Sequence, residues 1–128
     1  MQAEGIGRRA RKGMVQMTAT HTETKVVFER TYTECADPAY GGITYTYRES
    51  VLGLGSPAYT EVQDYRLANG ETSYYQHDII QLRSGQWVSG TTNRDFGSTV
   101  YRDETELIDA DQAWAWINAM RAQHVPTA

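Results

Sequence analysis

The sequence predicts a mainly β, α+β fold in a single domain. The expected architecture is a strongly curved antiparallel sheet or small barrel of about six to seven strands, with one C-terminal amphipathic helix packed on it. Three observations carry this expectation. Segments rich in Val, Thr, Tyr and Phe recur along the 128 residues, and these residue types fit a pleated, half-buried surface. Breakers containing Gly, Pro, Asn and Asp separate those segments. Near the C-terminus the apolar spacing becomes helical, with Ala113, Trp116, Ile117 and Met120 on one face.

The elements follow in order. Val15–His21 and Lys25–Thr33 read as strands, and residues 34–42 as a breaker with Asp37, Pro38, Gly41 and Gly42. Ile43–Glu49 alternates Ile and Tyr with Thr, the pattern of a strand. Gly53–Ala58 is a second breaker. Tyr59–Ala68, Glu71–Arg83 and Gln86–Asn93 form a three-stranded meander around Asn69-Gly70 and Ser84-Gly85. Asn-Gly suits a two-residue turn because both central residues need positive φ. Arg94–Gly97 is a turn before a last strand, Ser98–Arg102. Ala110–Gln123 is the helix, opened by a capping box from Asp109 to Gln112. Trp114 falls at the rim of its apolar face.

This order of strands and one C-terminal helix carrying tryptophan is similar to pleckstrin-homology-like domains. The resemblance lies in element order and implies a curved sheet closed by the helix. The basic loop that would imply phosphoinositide binding is absent from the sequence.

Charge is uneven. Residues 1–13 hold Arg8, Arg9, Arg11 and Lys12 against Glu4, whereas residues 15–128 carry a net −7. The first part reads as a disordered basic leader, 1–13, ahead of one globular domain, 14–128. Met14 and Met17 are alternative starts. The leader lacks the apolar stretch of a secretory signal, no apolar run has membrane-spanning length, and Cys35 is the single cysteine. The expectation is a cytoplasmic protein without membrane contact. Ten arginines against two lysines are compatible with a bacterial or phage source.

Two-residue turns would pair Glu61 with Asp78, Gln63 with Gln76 and Tyr65 with Tyr74, and Asp78 in turn with Thr91. One sheet face would then have a polar middle of Glu61, Gln63, Gln76, Asp78, Thr91 and Asn93. Opposed carboxylates repel, so burial would raise one pKa and suit general acid/base work. Glu61, Asp78 and Tyr74 are the catalytic candidates, with Gln63, Gln76 and Thr91 lining the pocket. A bulge would shift the register by one and separate the pair. Alternatively this face meets solvent, and Val62, His77, Ile79 and Val88 form the core.

Other chemistry is not signalled. His77 and Asp78 are strand neighbours and point to opposite faces. His21, His77 and His124 lack metal-ligand spacing, and no cofactor motif is present. A lone Cys35 reads as a small hydrophobe. Nine tyrosines suit strands and interfaces, and the acidic body disfavours direct nucleic-acid binding.

Asp103, Glu104, Glu106, Asp109 and Asp111 form the densest acidic run. It reads either as helix capping with a solvated turn, or as a docking surface for a basic partner. The function expected is a non-enzymatic protein-interaction module using this run together with Tyr45 and Tyr47. One form is a phage or mobile-element inhibitor that binds a basic nucleic-acid-binding protein of a host nucleic-acid-processing complex. The alternatives are a small-molecule-binding barrel, isomerase or cyclase built on Glu61 and Asp78, and a structural component assembling through edge strands. The sequence leaves the oligomeric state open.

Overall fold

The structure is a computed structural model and describes residues 24–35 and 40–126, with the backbone alone at Tyr40 and Leu54. The expected leader, the strand Val15–His21 and His21 lie outside the described residues.

Among the described residues, six strands form one antiparallel meander in sequence order: β1 (Lys25–Glu34), β2 (Tyr40–Val51), β3 (Pro57–Leu67), β4 (Thr72–Gln81), β5 (Trp87–Arg94) and β6 (Arg102–Ile108). The sheet is curved but does not close into a barrel. Among the described residues, β1 and β6 are therefore its edges. The C-terminal α-helix, α1 (Ala110–His124), packs on one face. Among the described residues, no helix is long and apolar enough to cross a membrane.

The helix forms where the sequence places it. Gln112 N–H donates to Asp109 Oδ1 at 2.8 Å, and Asp109 N–H donates to Gln112 Oε1 at 3.0 Å, completing the capping box. Asp111 in the first turn and Arg121 in the last complement the helix dipole. Ala113 and Ile117 enter the core with Tyr59, Ile79 and Trp87, while Ile108 and Trp116 close its border. Trp114 sits at the rim, its edge toward Tyr59 and Trp87.

The meander turns differ from the expectation, with consequences for every side chain of β4. Leu67 N–H donates to Glu71 O (2.8 Å) and Gly70 N–H to Leu67 O (3.0 Å), so the loop has three residues, 68–70. Leu82 and Gln86 close the loop 83–85 in the same way. Only the last loop residue needs positive φ in such a turn with a bulge. Gly70 and Gly85 supply it, at φ 93° and 94°. Asn69 instead accepts a hydrogen bond from Glu71 N–H at 2.9 Å.

Each extra loop residue shifts the register by one. Glu61 faces His77, Asp78 faces Thr60, and Gln76 faces Val62. On β5, Trp87 faces Gln81 and Thr91 faces His77. The two shifts cancel between β3 and β5, so β4 alone is turned over relative to the expected face. Neither face matches the expected core either: Ile79 and His77 lie on the helix side, while Val62 and Val88 lie on the outer face.

The last strand also differs. Ser98–Tyr101 is not strand, and β6 runs through the acidic residues instead. The Arg94 guanidinium gathers the carbonyls of Thr72 (2.8 Å) and Ser98 (3.0 Å), which holds 95–101 as a loop.

Replacing the fully buried Ile117 by Ala is expected to lower unfolding free energy by about 2–5 kcal/mol. Trp114→Ala at the exposed rim should cost less. Urea unfolding followed by far-UV circular dichroism checks both.

Candidate functional site

Rows of paired residues define what each face presents. On the helix side run Tyr32, Tyr45, Gln63, Tyr75 and Asn93, and beside them Arg30, Tyr47, Glu61, His77, Thr91 and Glu104. The outer face carries Thr60, Tyr74, Gln76 and Asp78. Two strands thus bear similar ladders on opposite faces.

The β3 ladder is joined to the helix. Tyr65 hydroxyl donates to Gln63 Oε1, and Gln63 Nε2 donates to Glu61 Oε1 at 2.9 Å. Glu61 is 3% exposed, and a carboxylate at such depth is costly unless hydrogen-bonded. Its other oxygen meets Nε2 of the fully buried His124 at 2.6 Å. His124 Nδ1 lies 2.6 Å from the Tyr32 hydroxyl, and Arg30 Nη1 donates to His124 O at 3.0 Å. The imidazole stacks on Tyr47, ring centroids 5.4 Å apart, and tilts against Tyr45 and Tyr32.

A second tie lies one turn earlier on the helix. Arg121 Nε donates to Glu49 Oε2 at 2.7 Å, and that oxygen also accepts from the Tyr47 hydroxyl at 2.7 Å. The Arg121 guanidinium holds the Glu49 carboxyl below its ordinary value, against the opposing effect of burial. Burial, reinforced by Glu49, pushes the Tyr47 hydroxyl well up.

The β4 ladder stands alone on the outer face. Tyr74 hydroxyl donates to Gln76 Oε1, and Gln76 Nε2 donates to Asp78 Oδ2 at 2.9 Å. Thr60 Oγ1 donates to Asp78 Oδ1 at 2.6 Å. Burial raises the Asp78 carboxyl, with the bonds from Thr60 and Gln76 opposing it. Burial also lifts Tyr74, to about 12. The expected Glu61–Asp78 pairing, with Tyr74 beside it, is therefore corrected. Glu61 and Gln63 face the helix with Thr91, while Asp78, Gln76 and Tyr74 face away. The raised Asp78 carboxyl owes its shift to burial, not to a second carboxylate across the strand.

His77 lies on the helix side, 2.8 Å from Ser89 Oγ, with its ring 4.6 Å from that of Trp116. Burial lowers its imidazole pKa, opposed by Asp78, Glu61 and Glu106. It and Asp78 do point to opposite faces. Among the described residues, no group of three or more His, Cys, Asp or Glu is placed to hold a metal ion. A shallow hollow of about 330 Å³ lies among turn residues, including Ser56, Pro57, Leu82 and Arg83, and none of the expected pocket residues lines it.

The acidic run is divided. Asp103, on the outer face, accepts from Thr92 Oγ1 at 2.7 Å. Glu104 and Glu106 pair with Thr91 and Ser89 on the helix-side rows. Asp109 is occupied as the N-cap and Asp111 lies in the first turn. Tyr45 is half-buried, but Tyr47 is fully buried and offers no surface to a partner.

Sequence reasoning missed His124 and Tyr32. His124 continues the buried stripe of Ala113 and Ile117, so a polar residue on that stripe was the available signal. Tyr32 carried no local signal, because its partner lies 92 residues away.

An NMR titration of the carboxyl groups should find Asp78 above its ordinary 3.8 and Glu49 below its ordinary 4.5. Because the Glu49 value is depressed on folding, its contribution to stability is present above pH 4.5 and fades as pH falls through the folded-state value. The opposite ordering would place the Arg121 tie and the Asp78 burial elsewhere.

Comparison with protein-family models, with curated proteins and with solved structures finds no match to the chain.

Proposed function

We propose that the protein is a non-enzymatic interaction module that takes a basic protein partner along β6 and the loop leading into it. The observation that supports this reading is the composition of that edge. β6 is paired on one side only among the described residues, so its outer backbone groups are available to another strand. Asp103, Glu104 and Glu106 are exposed along it. Val100, Tyr101 and Leu107 expose 64%, 54% and 63% of their surfaces at its two ends. Apolar anchors beside a charged strand suit an interface whose core excludes water and whose charges select the partner.

The edge residues, not the whole acidic run, carry this reading, because Asp109 is committed to the helix cap. An inhibitor of phage or mobile-element origin acting on a basic nucleic-acid-binding protein is the more specific form of the proposal. Its support is the acidity of the edge. The isomerase or cyclase alternative loses its chemical basis, since Glu61 and Asp78 do not share a face.

A synthetic twelve-residue peptide alternating Lys and Thr provides the probe, titrated into the isotope-labelled protein. Amide shifts are expected across residues 100–107, with affinity falling about tenfold between low and physiological salt as the charges are screened. The triple variant D103N/E104Q/E106Q should abolish the shifts. Shifts on another surface, equal shifts in the triple variant, or none at all would overturn the reading.

A further inference from the structure

We propose that Tyr32 is a base-assisted nucleophile, a site of covalent modification by an uncharged activated acyl ester. The inference rests on the polar groups that surround its hydroxyl and is independent of the interaction reading. The hydroxyl lies 2.6 Å from His124 Nδ1, and the opposite ring nitrogen lies 2.6 Å from Glu61 Oε2. Hydroxyl, imidazole and carboxylate in this order form the general arrangement of nucleophile, base and orienting group.

The directions of the hydrogen bonds are consistent. An ionised carboxylate only accepts, so His124 Nε2 carries the proton toward Glu61. With the Nε2 proton directed at Glu61, Nδ1 of the neutral ring is the acceptor, so the Tyr32 hydroxyl donates to it. The Arg30 guanidinium lies 4.2 Å from the centroid of the Tyr32 ring. Arg30 favours negative charge on the oxygen as it develops.

Other tyrosine hydroxyls are placed differently. Those of Tyr65 and Tyr74 donate to amide oxygens, and that of Tyr47 to a carboxylate. The Tyr32 hydroxyl is the one bonded to His124. Tyr32 is half-buried on β1, which is an edge strand among the described residues, and stacks on Tyr45 at 5.3 Å. Burial, followed by Glu34, raises its pKa, so its reactivity depends on proton removal during attack. Glu34 and Glu61 also disfavour an anionic donor, which selects an uncharged ester over a phosphate.

In the step, Tyr32 Oη attacks the ester carbonyl as His124 Nδ1 takes the phenolic proton. A new C–O bond forms, the bond to the leaving alkoxide or phenoxide breaks, and its electron pair departs with that group. No oxidant or reductant is needed. Glu61 acts as a positioning residue through His124.

The test incubates the full chain with p-nitrophenyl acetate at pH 7 and locates acetyl groups by peptide mass spectrometry. Tyr32 should be acetylated about a hundredfold faster than Tyr101, although Tyr101 is the more exposed, in keeping with the usual gain from general-base assistance. Tyr32→Phe should remove the fast phase of p-nitrophenolate release. Glu61→Gln should slow it about tenfold at pH 7, and the deficit should shrink as pH rises past the ordinary phenol value of about 10 and vanish once the raised Tyr32 phenol itself ionises without a base. A merely structural role for Glu61 would not give that recovery. Acetylation ranked by exposure, or a Tyr32 rate indifferent to Glu61→Gln, would overturn the proposal.

Discussion

The hydrogen bond between His124 and Glu61 is the constraint on which the rest of the arrangement depends. The helix must settle on a sheet face that is largely tyrosine, amide and carboxylate. Among the described residues, the buried apolar cluster that the helix joins is small: Tyr59, Ile79, Trp87, Ala113 and Ile117. Such a core favours contact without fixing its geometry, because apolar burial is not directional. Glu61 is directional. At its depth it needs donors, and His124 supplies one from the last turn of α1 while Gln63 supplies the other. Arg30 then holds the terminal carbonyl of the helix, and Arg121 binds Glu49 one turn before. The polar contacts therefore set the position of the helix along the strands, and the apolar ones hold it down.

The second constraint is the pair of glycine-ended loops. Each adds one residue beyond the shortest hairpin, and each turns the next strand over relative to its neighbour. As a result β4 alone presents Tyr74, Gln76 and Asp78 outward. One polar stripe becomes two separate ladders. The inner ladder ends on an imidazole from the helix, and the outer one on a threonine hydroxyl. Similar residues at similar spacing thus acquire different chemistry from one residue of register.

Much of this fold is legible in the sequence. Helical spacing from Ala113 onward and the Asp109–Gln112 box define α1 almost to the residue. Alternation locates β2 to β5. The failures have physical sources. Asn69-Gly70 satisfies both a two-residue turn and the end of a three-residue loop, and strand pairing decides between them. The acidic residues of β6 have poor strand propensity, yet an edge strand tolerates them because they face water. The site was half legible: Glu61 and Gln63 stood out as polar residues in a strand. Their partners did not, because Tyr32 and His124 meet only when the two ends of the described chain come together.

The arrangement places an acidic, partly apolar edge on one side of the sheet and a hydrogen-bonded tyrosine on the other. The tyrosine's hydrogen bond depends on the helix staying where Glu61 and Arg30 hold His124. The most direct test is the ring nitrogen spectrum of His124 by ¹⁵N NMR. The account predicts a single fixed tautomer, with Nε2 carrying the proton toward Glu61, Nδ1 accepting from Tyr32, and slow exchange of the Nε2 proton with solvent. Averaged ring nitrogens with rapid exchange, as in an exposed imidazole, would contradict it.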